Sequence, residues 1–178
     1  MQTCSVLGLG YIGLPTAVLL ANSNYNVIGV DINPKIIEKI NKGSSHFFEK
    51  DLDDLLKKAI NDSKLQATLN PTEADIHIIA VPTPLNSSDN IIPQPNIDFV
   101  LDAAKSISSK LKKGNLVIIE STSPIGTTNK VAELIFRESK LNADEIHFAY
   151  CPERVIPGNM MHELVHNNRV IGGLTSEA

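Results

Sequence analysis

The sequence predicts an α/β fold in which a doubly wound parallel sheet forms a single domain over residues 1–178. Short β-branched runs alternate with longer segments of helical periodicity, which is typical of a parallel sheet covered by helices on both faces. A chain of 178 residues is also long enough for one hydrophobic core, since a domain of this size buries roughly 70% of its unfolded surface.

Strands and helices follow one another along the whole chain. The predicted strands occupy residues 4–8, 26–30, 65–69, 76–81, 116–120, 146–150 and 170–172. The predicted helices occupy residues 12–22, 34–42, 52–62, 97–112 and 127–139. Because crossovers between parallel strands are right-handed, we expect the strand order 3-2-1-4-5-6.

Local signals support several of these elements. Four apolar residues of the first helix have the spacing of one helical face: Leu14, Ala17, Val18 and Ala21. The second helix begins at the Asn-Pro pair 33–34, an N-cap followed by proline, and ends at the Lys-Gly pair 42–43. Between Thr83 and Pro95 a loop rich in Pro, Asn and Ser follows a strand, where an α/β sheet carries its ligand-binding loops.

Composition and charge exclude some classes of function. The net charge is −4, aromatic residues make up 4% of the chain and there is no Trp, which argues against nucleic-acid binding. The apolar runs are too short to cross a bilayer, and the N-terminus lacks the features of a signal peptide. The two cysteines, Cys4 and Cys151, form no disulfide framework. We therefore expect a cytoplasmic protein that binds neither nucleic acid nor membrane.

A Gly-x-Gly-x-x-Gly sequence at residues 8–13 directly follows the first strand and opens the first helix. The pattern alone is weak, but this context is that of a dinucleotide-binding loop. Gly8 permits the tight turn, Gly10 lets the backbone approach a pyrophosphate, and Gly13 lets the helix pack closely on the strand. The helix N-terminus adds about half a positive charge for the phosphates.

Asp31 ends the second predicted strand, where a Rossmann-like fold places the carboxylate that accepts the adenosine-ribose hydroxyls. A 2′-phosphate would be repelled by this carboxylate, and the following Ile32 and Asn33 provide no arginine for it. The sequence therefore predicts NAD rather than NADP as the cofactor. The alternative is a solvated acid at a strand end beside an unrelated glycine-rich turn.

Hydroxyl side chains follow two neighbouring strands. Val-Pro-Thr-Pro at residues 81–84 places Thr83 after one strand, and Glu-Ser-Thr-Ser-Pro at residues 120–124 places Thr122 after the next. Thr127 and Thr128 then open a helix. Both strand ends lie at the carboxyl edge of the sheet, on the cofactor side, although each hydroxyl could equally be a turn residue or an N-cap.

The loop at residues 150–158 follows another strand and holds Glu153 and Arg154. An isolated Glu-Arg pair is more often a surface ion pair than a functional site, but the position at a strand's carboxyl end favours function.

Two further patterns are weaker. His-Glu-Leu-Val-His at residues 162–166 matches a zinc-protease motif, yet little chain follows to supply a third ligand, so we expect no metal. No histidine directly adjoins Cys151 in the sequence to lower its thiol pKa, so we expect a structural role for it.

Taken together, these motifs resemble the UDP-glucose/GDP-mannose dehydrogenase family over the whole chain. The resemblance rests on residues 8–15, 31, 81–84 and 120–124, and above all on Cys-Pro-Glu-Arg-Val-Ile-Pro-Gly at residues 151–158 followed by Asn-Arg-Val-Ile-Gly-Gly at residues 168–173. Within the family, this form of the 151–158 loop is most similar to the branch that oxidises UDP-N-acetylmannosamine. The resemblance implies oxidation of an alcohol to a carboxylate by two NAD, through a thioester on a cysteine.

The resemblance also implies roles for individual residues. NAD would be contacted by Tyr11, Ile12, Asp31, Thr83 and a hydroxyl among Thr122 and Thr128. Thr122 and Glu153 would place the hydrolytic water, since a Glu beside a bound water is a credible general base, and Arg154 with Val155 would line the UDP-sugar site.

The family's nucleophilic cysteine and its accompanying lysine belong to a segment beyond Ala178. We therefore expect this chain to be an NAD-binding domain that is inactive alone, and the whole enzyme to be a homodimer.

Three alternatives remain at this point. The chain could belong to a dehydrogenase acting on another UDP-sugar. It could come from the 6-phosphogluconate and hydroxyisobutyrate dehydrogenase group, which shares the glycine-rich start but needs neither Glu153 nor Arg154. It could also be an NAD-binding module without catalytic activity.

Overall fold

A computed structural model of the protein describes residues 1–86 and 93–178. In chain order the elements are β1 Thr3–Leu7, α1 Gly13–Asn22, β2 Asn26–Val30, α2 Pro34–Asn41, α3 Leu52–Asn61, β3 Leu65–Thr68, β4 Ile76–Ile79, β5 Leu85–Asn86, β6 Gln94–Pro95, α4 Asp98–Ser108, β7 Asn115–Ile119, α5 Thr127–Glu138, β8 Ile146–Tyr150, α6 Met160–His166 and β9 Gly172–Gly173.

The main sheet has seven strands in the order β3-β2-β1-β4-β7-β8-β9. Every pairing from β3 to β8 is parallel, which confirms the predicted α/β fold and its strand order. Strands β2 and β3 lie on one side of β1, whereas β4 and the later strands of the sheet lie on its other side. The order in which strands are added therefore reverses between β1 and β4, and the ends of these two strands form the crevice where such folds bind ligands.

Two hydrophobic cores lie on opposite faces of this sheet. One contains residues from α1, α2, α3 and α6, including Leu14, Ile40 and Leu56. The other contains residues from α4 and α5, including Val100 and Ile135. Because each face is covered by its own helices, the parallel strands are buried on both sides.

The predicted signals at the ends of α2 are confirmed. The side chain of Asn33 accepts a hydrogen bond from the N–H of Lys35 at 3.0 Å, and Pro34 occupies the first turn. Gly43 follows the helix with φ +75°, a left-handed conformation that glycine adopts without steric cost.

Four predictions about elements need correction. The last strand is Gly172–Gly173 and runs antiparallel to β8, whereas residues 170–172 were expected in a parallel sheet. Val170 and Ile171 are exposed, so their β-branched side chains do not mark a buried strand.

Helix α4 ends at Ser108 rather than at residue 112. The side chain of Asn115 accepts a hydrogen bond from the N–H of Lys112 at 2.7 Å, and this bond competes with continuation of the helix.

Helix α6 was not among the predicted helices, and the loop after β4 contains the antiparallel pair β5 and β6. The middle of that predicted loop, residues 87–92, lies outside the described residues.

In the described ranges, no helix is both long and apolar enough to cross a membrane.

Candidate cofactor and hydrolytic site

The glycine-rich loop between β1 and α1 allows very close packing of the backbone. Gly8 has φ +89°, and a Cβ there would lie 2.8 Å from the carbonyl oxygen of Ala80. A Cβ on Gly13 would lie 1.8 Å from the carbonyl oxygen of Gly8. Both positions therefore require glycine for the turn itself.

Gly10 differs from its two neighbours in the loop. A Cβ on this residue would meet no atom within 4 Å in the described parts of the chain. The backbone at Gly10 therefore borders open space rather than packed protein. This arrangement fits a pyrophosphate that approaches the backbone closely.

Helix α1 begins at Gly13, at the end of the same glycine-rich loop. Its N-cap residue, Ile12, makes no side-chain capping hydrogen bond, and the first turn of the helix contains no acidic residue. The partial positive charge of the helix N-terminus is thus not neutralised by the helix itself. A phosphate could accept hydrogen bonds from these N–H groups.

Asp31 follows β2 and is held against the glycine-rich loop. Its Oδ2 accepts a hydrogen bond from the N–H of Leu9, and its Oδ1 accepts one from the N–H of Asn33, both at 2.9 Å. A carboxylate has about four acceptor positions, so these bonds orient Asp31 and leave capacity for ribose hydroxyls. Ile32 beside it is 91% exposed.

An aromatic pair stands beside the same loop. Tyr11 stacks on Phe47, with ring centroids 4.3 Å apart, and His46 meets the edge of Phe47 at 4.9 Å. Burial lowers the pKa of His46, and the charge of Asp31 acts in the opposite direction. The residues after α2 therefore form a wall near Tyr11 and Asp31.

The structure brings Thr83 and Thr122 together. The hydroxyl of Thr83 donates a hydrogen bond to the backbone carbonyl of Thr122 at 2.7 Å. Ser121 reinforces the contact, because its hydroxyl donates to the carbonyl of Val81 at 2.7 Å. The loops after β4 and β7 are thus joined at the carboxyl edge of the sheet.

The two threonines at the start of α5 have different environments. Thr127 is buried and its hydroxyl donates to the carbonyl of Pro124 at 2.8 Å. It is therefore a turn residue, one of the two alternatives considered for it. Thr128 is half-buried in the first turn of the helix.

Glu153, after β8, lies in a cluster of charged side chains in which the two acids are buried and Arg169 is partly exposed. Nη2 of Arg169 lies 2.7 Å from Oε1 of Glu120 and 3.6 Å from Oε2 of Glu153. Oε2 of Glu120 accepts a hydrogen bond from the hydroxyl of Thr16 on α1 at 3.0 Å. The Glu153 side chain is only 5% exposed, and neither of its oxygens has a hydrogen-bond partner among the described residues.

The cluster changes the acidity of its members. Burial raises the pKa of Glu120, although the hydrogen bond and charge of Arg169 partly oppose this effect. Burial also raises the pKa of the Cys151 thiol. A thiol whose pKa is raised is a poor nucleophile, and this agrees with a structural role for Cys151.

Arg154 and Val155 lie on the same loop but outside the charged cluster. Arg154 is exposed and Val155 is half-buried. The backbone carbonyl of Arg154 accepts a hydrogen bond from the side chain of Asn167 at 2.8 Å, so the loop is tied to the segment after α6.

A carboxylate distant in sequence holds the end of this loop. Oε2 of Glu49 accepts a hydrogen bond from the N–H of Gly158 at 2.7 Å, and its Oε1 accepts one from the N–H of Met160 at 2.8 Å. Glu49 is 5% exposed. It therefore fixes the position of the 151–158 loop relative to the glycine-rich side of the domain.

The His-Glu-Leu-Val-His pattern has a structural explanation. His162 and His166 stack on α6 with ring centroids 4.0 Å apart. Glu163 accepts hydrogen bonds from the N–H of Ile156 at 2.8 Å and from the side chain of Asn159 at 3.2 Å. Its carboxylate thus orders the turn before the helix.

Comparison with known proteins decides the family. Residues 2–178 match the profile of the UDP-glucose/GDP-mannose dehydrogenase family, NAD binding domain. The chain belongs to this family. NAD is therefore its cofactor, and the membership decides against the 6-phosphogluconate and hydroxyisobutyrate dehydrogenase group.

Individual members of the UDP-glucose/GDP-mannose dehydrogenase family resemble the chain closely. It is 49% identical to a UDP-N-acetyl-D-mannosamine dehydrogenase of Campylobacter jejuni, over 97% of this chain and 44% of that protein. It is 46% identical to an NDP-N-acetyl-D-galactosaminuronic acid dehydrogenase of Ralstonia nicotianae, over 98% of this chain and 42% of that protein. The solved structure of a UDP-D-ManNAc dehydrogenase from Pyrococcus horikoshii superposes with a TM-score of 0.92 at 40% identity, over 98% and 42% of the two chains. The chain spans less than half the length of the curated relatives it matches.

Sequence reasoning did not identify every residue of the cofactor and hydrolytic site. Glu120 and Arg169 were part of noted motifs but were given no role, because a partly buried ion pair between residues 49 positions apart leaves no local pattern. Glu49 and the aromatic wall of His46 and Phe47 carried no motif at all. Only a polar residue in an otherwise apolar strand end, as at Glu120, could have indicated burial with a partner.

Proposed function

We propose that this chain is the NAD-binding domain of a UDP-N-acetyl-D-mannosamine 6-dehydrogenase, which oxidises the primary alcohol of the sugar to a carboxylate. The observation that carries the proposal is the arrangement at the carboxyl edge of the sheet. An open glycine loop and an oriented Asp31 lie on one side, and on the other lies Glu153, whose oxygens accept no hydrogen bond from the described residues. The name of the Campylobacter jejuni relative supports the choice of sugar.

The chain's own residues suit NAD. Gly10 and the N-terminus of α1 would hold the pyrophosphate, with Tyr11 and Ile12 beside it. Asp31 would accept hydrogen bonds from the adenosine-ribose hydroxyls, and its charge would exclude a 2′-phosphate. Thr83, Thr122 and Thr128 lie at strand or helix ends on the same edge and would contact the rest of the cofactor. When bound, NAD supplies the hydride acceptor for each of the two successive oxidations.

Hydrolysis of the thioester intermediate is the step assigned to Glu153 and Thr122. The oxygen of water bonds to the acyl carbon, the carbon–sulfur bond breaks and the sulfur leaves as a thiolate. The proton released by the water passes to the Glu153 carboxylate, whose buried oxygens have no hydrogen-bond partner in the described residues and so are free to accept it. Thr122, exposed at the end of β7, would help to place the water.

The remaining parts of the enzyme are assigned to sequence outside this chain. Cys4 lies within β1 and burial raises its pKa to about 11, and burial also raises the pKa of Cys151. Neither cysteine suits thioester formation, so the nucleophile would come from a segment following this domain, as would most of the UDP-sugar site. Arg154 and Val155 would line the part of that site nearest to Glu153. A homodimer in the cytoplasm remains our expectation for the whole enzyme.

The experiment is a substrate panel with a full-length dehydrogenase that contains this chain as its N-terminal domain. NADH formation is measured with UDP-N-acetylmannosamine, UDP-N-acetylglucosamine, UDP-N-acetylgalactosamine and UDP-glucose. We expect UDP-N-acetylmannosamine to give the highest kcat/KM, with two NADH formed per acid. A preference for UDP-N-acetylgalactosamine, which the Ralstonia nicotianae relative suggests, would support the proposed reaction but contradict the proposed sugar. A preference for UDP-glucose would contradict the proposal.

A further inference from the structure

Arg169 connects two acidic residues that the fold brings from separate strands. Glu120 follows β7, Glu153 follows β8, and Arg169 precedes the antiparallel strand β9. Arg169 donates a hydrogen bond to Glu120 at 2.7 Å and lies at ion-pair distance, 3.6 Å, from Glu153. One guanidinium therefore faces two carboxylates.

The two carboxylates relate to Arg169 differently. Glu120 is 3% exposed and both of its oxygens are occupied, one by Arg169 and one by the hydroxyl of Thr16. Glu153 has the nearby charge of Arg169 but, within the described residues, no hydrogen bond to either oxygen. Arg169 thus places its positive charge next to Glu153 without occupying the lone pairs that would receive a proton.

Burial makes this counter-charge necessary. An ionised carboxylate that is nearly inaccessible to water is costly unless a cation lies close to it. Among the described residues, the ionisable groups that interact electrostatically with Glu153 include Arg169, Glu120 and the Cys151 thiol. Among these, Arg169 is the cation, whereas Glu120 is a second acid that competes for it.

The hydrogen bonds of Glu120 also determine where the guanidinium lies. Thr16 belongs to α1, the helix that begins at the glycine-rich loop, and its hydroxyl holds the far oxygen of Glu120. Thr16, Glu120 and Arg169 therefore form a continuous chain of contacts from the cofactor helix to Glu153. The short strand β9 pairs with Tyr150 and Ala149 of β8, and so keeps Arg169 next to the Glu153 loop.

We propose that Arg169 is a positioning residue for thioester hydrolysis: its charge holds the Glu153 carboxylate in place, and Glu120 with Thr16 holds Arg169 in position. This inference rests on the proposed function of Glu153. It assigns no contact between Arg169 and the substrate.

The test uses a full-length dehydrogenase that contains this domain, and it compares Arg169→Met, Arg169→Lys, Glu120→Gln and Glu153→Gln. Hydrolysis is followed by intact mass as loss of the acyl-enzyme after a single turnover, from pH 5 to pH 9. We expect Arg169→Met to slow hydrolysis at neutral pH by about tenfold or more and to move the acidic limb of the profile to higher pH. Arg169→Lys should restore part of the rate, since it keeps the charge but loses the planar fork.

The Glu120→Gln variant gives the discriminating result. It keeps the size of the side chain and can still bond to Thr16, but it removes the acid that competes for Arg169. We expect its acidic limb to move to lower pH, opposite to that of Arg169→Met. Loss of a purely structural ion pair would instead reduce activity in both variants and leave the limb at the wild-type pH.

Arg137→Met is the matched control, because Arg137 lies on the surface of α5 with its side chain 71% exposed. It should leave the rate and the profile at wild-type values. If Glu153→Gln traps the acyl-enzyme while Arg169→Met hydrolyses it with a wild-type profile, the role of Arg169 is overturned and the proposed function stands. If Glu153→Gln hydrolyses normally, the proposed role of Glu153 fails first. If Arg169→Met does not fold, Arg169→Lys and Glu120→Gln still decide the question through the direction of their shifts.

Discussion

Asp31 shows how a single residue can be prepared for its ligand. Its two carboxylate oxygens accept hydrogen bonds from the N–H groups of Leu9 and Asn33, so the side chain is oriented before a ribose arrives. Pre-orientation lowers the entropy lost on binding. The same bonds link the glycine-rich loop to the end of β2.

Replacement of Asp31 by alanine should remove the preference for NAD. Charge-assisted hydrogen bonds contribute about 1.5–3 kcal/mol each, so the wild-type chain should bind NAD at least about tenfold more tightly than NADP. In Asp31→Ala the two affinities should become similar, as measured by calorimetry. Asp144→Ala, at an exposed site, should retain the preference. Equal affinities in the wild-type chain would contradict the role of Asp31.

His77 is a second residue whose environment makes a measurable prediction. It is fully buried in β4, and neither ring nitrogen has a hydrogen-bond partner among the described residues. Burial lowers its pKa to about 4, although the charge of Asp75 partly opposes this effect. The folded state therefore favours the neutral ring, and the unfolded state takes up a proton first as the pH falls.

The contribution of His77 to stability should be complete above pH 6.5 and should be lost between pH 6.5 and about pH 4. The contribution of His77 to the free energy of unfolding should fall by about 3 kcal/mol over this range. His77→Leu removes the titration, so its free energy of unfolding, measured by urea denaturation, should fall less over this range than that of the wild type. His162→Gln, at an exposed site, should follow the wild type. Parallel curves for wild type and His77→Leu would show that His77 is not the group responsible.

At the scale of elements, the order of strands and helices was predictable because local patterns determine it. The apolar runs of β1, β4 and β7, the Asn33 cap of α2 and the glycine loop before α1 all lie in contiguous sequence. The antiparallel pairing of β9 was not predictable, because it depends on hydrogen bonds to β8 rather than on the side chains of two glycines. The charged cluster was missed for a similar reason, since Arg169 and Glu120 meet only after β7, β8 and β9 have assembled.

The roles of two glycines in the loop between β1 and α1 can be distinguished by experiment. A Cβ on Gly13 would overlap the Gly8 carbonyl at 1.8 Å, whereas one on Gly10 meets nothing within 4 Å among the described residues. We expect Gly13→Ala to destabilise the fold by at least about 2 kcal/mol, through forced displacement of packed backbone. Gly10→Ala should change stability by less than about 1 kcal/mol and weaken NAD binding at least about tenfold.

Thermal unfolding and calorimetry with NAD measure the two effects separately. Gly114→Ala serves as a control for mutation at a distant glycine. Because Gly114 has φ +87°, it should lose some stability but retain its NAD affinity. Unchanged NAD binding in Gly10→Ala would show that the pyrophosphate does not approach this part of the loop.

At the scale of the whole molecule, the sheet brings together residues from opposite ends of the sequence. The glycine loop lies near the start of the chain and Arg169 near its end, yet Thr16 and Arg169 both form hydrogen bonds to the side chain of Glu120. The chain therefore holds the groups assigned to NAD and the general base assigned to hydrolysis. Its two cysteines, Cys4 and Cys151, are buried and are assigned no part in the reaction.

The last prediction is that the 178-residue chain folds and binds NAD but produces no NADH with UDP-N-acetylmannosamine. Acyl transfer needs an activated nucleophile; Cys4 is buried in β1 and Cys151 is buried beside Glu120 and Glu153, and burial raises the pKa of both thiols. NAD binding by calorimetry, absorbance at 340 nm at high protein concentration and a parallel Cys151→Ser variant give the three measurements. Sustained NADH formation that disappears in Cys151→Ser would overturn the structural assignment of Cys151, because the thiol would then have to be the nucleophile despite the acids around it.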